Sequence, residues 1–257
     1  MHQKTFRDAG TITLRLLREL LRTRRSLYFW LLFPSLMLLL FGTIYAGNSS
    51  PERSFDVTIP GILVGAALFF SCLGGPVVTL VGERERGTLR RLLVMPISAA
   101  SYFLGVLAFY VLVAVVQTAV VYGLGALFGA RFHGSVLLGA VIIWLSVMIY
   151  CGLAFILGAR FARRTEDVTG PISAIGVPLL VLGGTFFSPS ILPPALRMLA
   201  QLDPIYHMIG ALRAVSASGA PWETVRYNVI AMALMALVLM AFGVWSFQGL
   251  LEREKSQ

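Results

Sequence analysis

The stretch VTIPGILVGAALFFSCLGGPVVTLVGERERGTLRR (Val57–Arg91) runs 26 residues without a charge, to Gly82, and then carries six charged residues between Glu83 and Arg91. A further 39 uncharged residues, Leu92–Ala130, follow. A helix needs about 20 apolar residues to cross a ~30 Å hydrocarbon core. The uncharged part is therefore read as a membrane crossing. Each charge at mid-bilayer would cost roughly 2.5–3.5 kcal/mol, so 83–96 must lie in water or against protein.

The rest of the chain repeats this alternation. Of 257 residues, 57% are hydrophobic and 13% charged, against about 25% charged in soluble domains. Charges leave six uncharged runs: Ser26–Pro51, Val57–Gly82, Leu92–Ala130, Phe132–Ala159, Val168–Leu196 and Tyr227–Leu251. The longest would reach about 58 Å as one helix. Its centre, Leu112–Val121, has no Gly, Pro or charge to turn a hairpin, so it holds one crossing that starts near Tyr102. The predicted fold is an all-α integral membrane protein, a single transmembrane domain over 1–257. Its crossings fall at 27–46, 57–81, 102–130, 136–159, 168–187 and 227–248. With the N-terminus in the cytoplasm, 16 of the 21 Lys and Arg lie on cytoplasmic segments and 5 outside. The positive-inside rule thus places both termini in the cytoplasm. The net charge of +9 is an orientation signal, with no nucleic-acid partner implied. The first apolar run is full length and follows a long charged segment, so no cleavable signal peptide is expected.

Absent motifs narrow the function. The two lysines, Lys4 and Lys255, lie outside any GxxxxGK[ST] pattern, so this chain is not expected to hydrolyse ATP. No GxSxG, HExxH or paired-cysteine spacing appears, and Cys72 and Cys151 read as apolar filler inside crossings. No catalytic, cofactor-binding or metal-ligating residue is expected. His207 stands alone and reads as an interfacial hydrogen-bonding group. No Asp, Glu, Lys, Arg or His lies deep in a crossing, which argues against a carrier driven by a proton or sodium gradient. Gln117, the most polar side chain of the third crossing, either bonds a neighbouring helix or lines a path.

Three segments lie outside the crossings. In 1–25, Arg15, Arg18, Arg22 and Arg25 recur at helical spacing, with Leu14, Leu17 and Leu21, and also Leu16 and Leu20, filling the other side. Glu19 is in reach of Arg15 and Arg22. An amphipathic helix in the interface plane is predicted, either a plain anchor or a lever that touches a cytoplasmic partner. Segment 188–223 is too proline-rich to span. Pro193-Pro194 opens one short helix; Asp203 caps a second that starts at Pro204. Leu196, Met198, Leu199, Ile205, Met208, Ile209 and Leu212 are expected to be buried there. In 83–96, Gly87 breaks the incoming helix, Thr88 caps a stub and Pro96 ends it. Leu89, Leu92 and Leu93 share one face of the stub, beside Arg90 and Arg91. Two turns are unstable alone, so these leucines enter a protein groove or sink into the headgroup layer.

At these residues the chain resembles the membrane subunits of type-2 ABC exporters, over almost its whole length. ERERGTLRRLLVMPIS (Glu83–Ser98) is similar to the family pattern E-x-x-x-G-T-L-E-x-L-x-x-x-P-x-S through Glu83, Gly87, Thr88, Leu89, Leu92, Pro96 and Ser98. Arg90 stands where the family carries an acid. ILPPALRMLAQLDPIYHMIGALR (Ile191–Arg213) is similar to a later P-x8-R ending, through Pro204 and Arg213. The resemblance implies that Glu83, Glu85, Gly87, Thr88, Leu89, Arg90, Leu92, Leu93 and Pro96 couple the chain to a separate ATPase subunit, present in two copies, which holds ATP and Mg. It implies that Arg15, Arg18, Arg22 and Arg25 lie on a connecting helix. It further implies that external helices carrying Pro193, Asp203, Pro204 and Arg213 close the exit, and that a second permease copy completes a complex in a bacterial inner membrane.

The resulting expectation is an exporter subunit for a hydrophobic or amphipathic substrate, such as a drug, an antibiotic or a lipid-like molecule. Export of a lipid-linked glycan by the same architecture and a non-transporting assembly or sensor subunit are the rivals. An intramembrane enzyme would need a nucleophile facing a base, and His207 has no hydrolase motif around it.

Overall fold

The computed structural model describes residues 2–89, 98–162 and 164–255. The fold is all-α. Helix α1 (His2–Thr23) buries Ala9, Ile12, Leu16 and Leu20, at spacings of three, four and four, against α4 (Ala99–Ala126). Gly105 of α4 permits this approach, since a Cβ there would stand 2.7 Å from Ile12 Cβ. The Thr13 hydroxyl donates to the Gly105 carbonyl at 2.9 Å. Phe6, Leu14 and Leu21 are exposed, so the leucines expected on one face are divided between the core and the exposed surface. The chain then turns at Arg24, whose φ of 43° is strained for a residue with a Cβ, and enters α2 (Arg25–Ala46).

The central helix is α3, Pro51–Glu85. Ser50 caps it by accepting from the Arg53 N–H, and Pro51 takes the first turn, where a missing N–H does no harm. Its middle, Ile62–Gly74, is wound as a π-helix flanked by Pro60 and Pro76. Proline cannot satisfy the carbonyl four residues earlier, and neighbouring helices supply the missing donors. The Cys72 carbonyl, to which Pro76 cannot donate, receives the Cys151 thiol at 3.5 Å. The Trp30 carbonyl, to which Pro34 likewise cannot donate, receives Gln117 Nε2 at 2.8 Å.

Helix α5 (Val136–Arg160) packs along α9 (Trp222–Lys255). Between them the polar stretch forms α7 (Pro194–Ala200) and α8 (Pro204–Ser218). Five helices, α2, α3, α4, α5 and α9, are long and apolar enough among the described residues to cross a membrane. The segment expected to cross at 168–187 forms α6, Glu166–Leu182, of 17 residues. That is about 26 Å of helix, short of a ~30 Å core. Gly183-Gly184 stops it, Gly184 with a φ of 86°, five residues before the predicted end. Helix α9 runs past its expected limits of 227–248 at both ends, since Glu223 at its start and Arg253 near its end tolerate the aqueous interfaces.

Helices α7 and α8 differ from expectation in one respect. Ile205, Met208, Ile209 and Leu212 of α8 are buried, whereas Leu196, Met198 and Leu199 of α7 are exposed and Ala200 is that helix's buried residue. Seven residues make two turns, and α7 buries only its final residue.

Candidate functional site

The last turn of α3 sends four consecutive charged side chains to different parts of the bundle. Glu83 is buried; its Oε1 accepts from Arg15 of α1 and its Oε2 accepts from the Tyr102 hydroxyl of α4 at 2.7 Å. Arg84 donates from Nε to Glu254 of α9 at 2.7 Å and from Nη1 to the Ala162 carbonyl at 3.0 Å. Glu85 accepts from the Thr165 N–H at 3.0 Å and from its hydroxyl at 2.9 Å. Arg86 reaches Glu19 of α1 at 3.4 Å. Gly87, with a φ of 66°, adopts a left-handed turn without a Cβ penalty and ends the helix. One helix end thus joins α1, α4, the α5–α6 connection and α9.

This geometry revises several sequence expectations. Arg15 pairs with Glu83 and Glu19 with Arg86, so both ion pairs run between helices and not along α1. Arg18, Arg22 and Arg25 are exposed. Glu83 is buried against this chain's own helices, while Glu85 binds Thr165 and stays exposed. Leu89, expected on the docking face of the stub, is 2% exposed and part of the chain's own core; it anchors the segment. Thr88 and Leu89 are helical, while Arg90, Leu92, Leu93 and Pro96 lie outside the described residues. Gln117 is buried between helices. Its Oε1 accepts from Ser71 at 2.8 Å while its amide serves Trp30, so both ends bind helices.

Beside this junction a cleft of about 390 Å³ opens between α1, α2, α3, α4 and the start of α6. Phe29, Trp30, Phe70 and Val78 give it an apolar lining, and the paired Glu19 and Arg86 add charge beside the hub. Tyr110 is part of the lining, its hydroxyl 2.9 Å from that of Thr79. Gly75 makes room for its ring, since a Cβ there would be 2.5 Å from Tyr110 Cε1.

At the other end of the bundle, Asp56 accepts from the Arg131 N–H and pairs with His133, both at 2.8 Å. Arg213 of α8 donates to the carbonyls of Val57 at 3.2 Å and Gly184 at 3.0 Å, tying α8 to α3 and the end of α6. Pro193 precedes α7 and Pro204 is the first residue of α8. Asp203 caps α8 through the Ile205 N–H at 2.9 Å. Its Oδ2 is buried without a hydrogen-bond partner among the described residues. Burial raises the Asp203 pKa to about 6, against smaller lowering effects from the Ile205 N–H and from His207. A carboxyl raised from 3.8 to about 6 binds its proton more tightly when folded, so stability is fullest at low pH and is lost as pH rises through this window. Thermal melts between pH 4 and 6 should therefore show wild type losing stability relative to Asp203→Asn, whose amide keeps the cap. Parallel curves would refute the assignment. His207 holds α8 to its surroundings through the Gln201 carbonyl at 2.9 Å and Asn228 at 3.2 Å.

Local spacing gives no signal for the pairs of Arg84 with Glu254 or Glu85 with Thr165, which join residues 170 and 80 positions apart. The charge density of 83–86 is the one clue that several partners are being served.

A bundle of long apolar helices tied together by four charged side chains at one helix end describes a polytopic membrane protein. The chain belongs to the ABC-2 type transporter family, whose model matches residues 8–216. It is 24% identical over 221 residues to the inner membrane transport permease YadH of Escherichia coli K12, a match that covers 82% of this chain and 83% of that protein. It is 26% identical over 166 residues to the probable doxorubicin resistance ABC transporter permease protein DrrC of Mycobacterium tuberculosis H37Rv, covering 63% and 58%. The chain is thus the permease component of an ABC transporter, a multi-pass membrane subunit that implies an ATPase partner.

Proposed function

We propose that this chain is the inner-membrane subunit of an ATP-driven exporter for hydrophobic or amphipathic molecules, with both termini in the cytoplasm. Two ATPase copies hold the ATP and Mg, and a second permease copy completes the path, since five or six helices are few to enclose one. The 83–96 segment takes up the ATPase stroke and the hub at Glu83–Arg86 distributes it to α1, α4 and α9. The external helices around Asp203, Pro204 and Arg213 gate release.

The observation that carries this reading is the chemistry of the cleft. An apolar aromatic wall with a charged pair, next to the hub, suits a molecule with one greasy and one polar part. The aromatic wall is equally suited to stacking on sugar rings, which keeps a lipid-linked glycan as the second reading. The relative DrrC is named for doxorubicin resistance, so doxorubicin is the first probe. Inverted vesicles holding this chain and its ATPase should take up doxorubicin with ATP, insensitive to an uncoupler. Val78→Glu, which places a charge in the wall, should reduce uptake about tenfold. Uptake that follows a proton gradient, or a cognate ATPase stimulated by neither doxorubicin nor a lipid-linked glycan, would contradict the proposal.

A further inference from the structure

We infer that the ends of α5 and α9 form a binding site for the phosphodiester headgroup of an anionic phospholipid. A groove of about 570 Å³ lies there, bordered by Arg160, Trp245, Ser246, Gly249, Glu252 and Arg253. It is on the hub side of the bundle, because Arg84 bonds Ala162, two residues beyond Arg160.

The groove has a prepared cation. The Arg160 guanidinium lies 4.2 Å from the centre of the Trp245 ring, and its Nε donates to the Ser246 hydroxyl at 2.9 Å. These contacts fix the planar group, and among the described residues its two terminal nitrogens have no hydrogen-bond partner. A fixed guanidinium fork matches two phosphate oxygens. Arg253 adds a second positive group on the rim, against the single carboxylate of Glu252.

The surroundings match a lipid and not a free anion. Trp245 is 57% exposed, and Phe242, its ring 5.9 Å away, and Phe161, next to Arg160 in the chain, are exposed as well, an apolar apron of the kind aromatic belts present to headgroups. Gly249 supplies the cradle: a Cβ there would meet nothing within 4 Å. Glycine inside a helix sacrifices about 0.5–1 kcal/mol relative to alanine, and no protein contact in the bundle accounts for it. Basic pockets between membrane helices on the cytoplasmic side hold anionic headgroups in this way.

The full chain, purified in neutral detergent and stripped of lipid, tests this by native mass spectrometry with added phosphatidylglycerol or phosphatidylcholine. Phosphatidylglycerol should stay bound preferentially. Arg160→Gln should weaken it about fivefold, the worth of one basic residue near a headgroup. Gly249→Leu, which keeps every charge and fills the cradle, should weaken it comparably, while Arg18→Gln, an exposed arginine elsewhere, should not. Equal retention of the two lipids, unchanged binding in the first two variants, or equal weakening by Arg18→Gln would each overturn the site. Displacement by millimolar inorganic phosphate would overturn the lipid assignment in favour of a free anion. None of these readouts depends on transport.

Discussion

Glu83→Gln should lower the melting temperature of the purified chain by about 5–10 °C and reduce ATP-driven transport more than tenfold. The side chain is buried, and its two oxygens serve Arg15 on α1 and Tyr102 on α4. The amide keeps the shape and still accepts from Tyr102, but it leaves the Arg15 guanidinium without its counter-charge. Breaking a buried pair from one side costs about 3–5 kcal/mol. Arg15 is 36% exposed, so solvent screening brings the figure to about 2–3 kcal/mol. At this chain length each kcal/mol moves the midpoint by about 2–4 °C. Removing both charges should recover part of the loss: Glu83→Gln combined with Arg15→Gln should melt above Glu83→Gln alone. Additive losses would show that the two groups do not interact.

Gly152→Leu should prevent accumulation of folded protein. A Cβ on Gly152 would stand 2.7 Å from the Leu239 carbonyl carbon and 2.9 Å from the Met240 nitrogen, and one on Gly243 would stand 2.9 Å from the Gly152 oxygen. These are backbone atoms of α5 and α9, so no rotamer change relieves the clash, and the helices must separate along their length. Membrane helices associate through such close small-residue contacts, and overpacking costs about 1–3 kcal/mol even where side chains can yield. Gly152→Ala should be a milder version, with a lower melting temperature. Gly123→Ala is the matched control, because a Cβ there meets nothing within 4 Å and the change should be neutral or slightly stabilising. Equal effects at positions 123 and 152 would remove the packing explanation.

The part of this molecule that is legible in the sequence is the part governed by solvent. A charge-free run of sufficient length has one stable place, and α2, α3, α4, α5 and α9 follow from that. Asp203 with Pro204 marks a helix start because capping is local, and the side-chain caps at Ser50 and Ser98 obey the same rule. Leu89 departs from expectation because periodicity assigns a leucine to an apolar face without saying whose surface that face meets; its own bundle takes it. Leu196, Met198 and Leu199 depart for the same reason. The hub is invisible in its particulars, since charges at 83–86 have many sequence-compatible partners and the fold selects Arg15, Tyr102, Glu254, Thr165 and Glu19 from three-dimensional proximity alone. Gln117 shows both sides: its polarity marks an interhelical bond, but only the structure shows that the acceptor is the carbonyl that Pro34 leaves open.

The central claim is that the segment beginning at Thr88 faces an ATPase on the cytoplasmic side. Cys72 and Cys151 are both buried, so an introduced thiol at an accessible position gives a clean signal. Thr88→Cys and Ser190→Cys, each labelled in intact cells and inverted vesicles with a membrane-impermeant maleimide, measure the sidedness directly. Position 88 should label only from the cytoplasmic side, be protected by the bound ATPase subunit and cross-link to it, while position 190 labels only from outside. Labelling of position 88 from outside, or cytoplasmic labelling indifferent to the ATPase, would contradict the account.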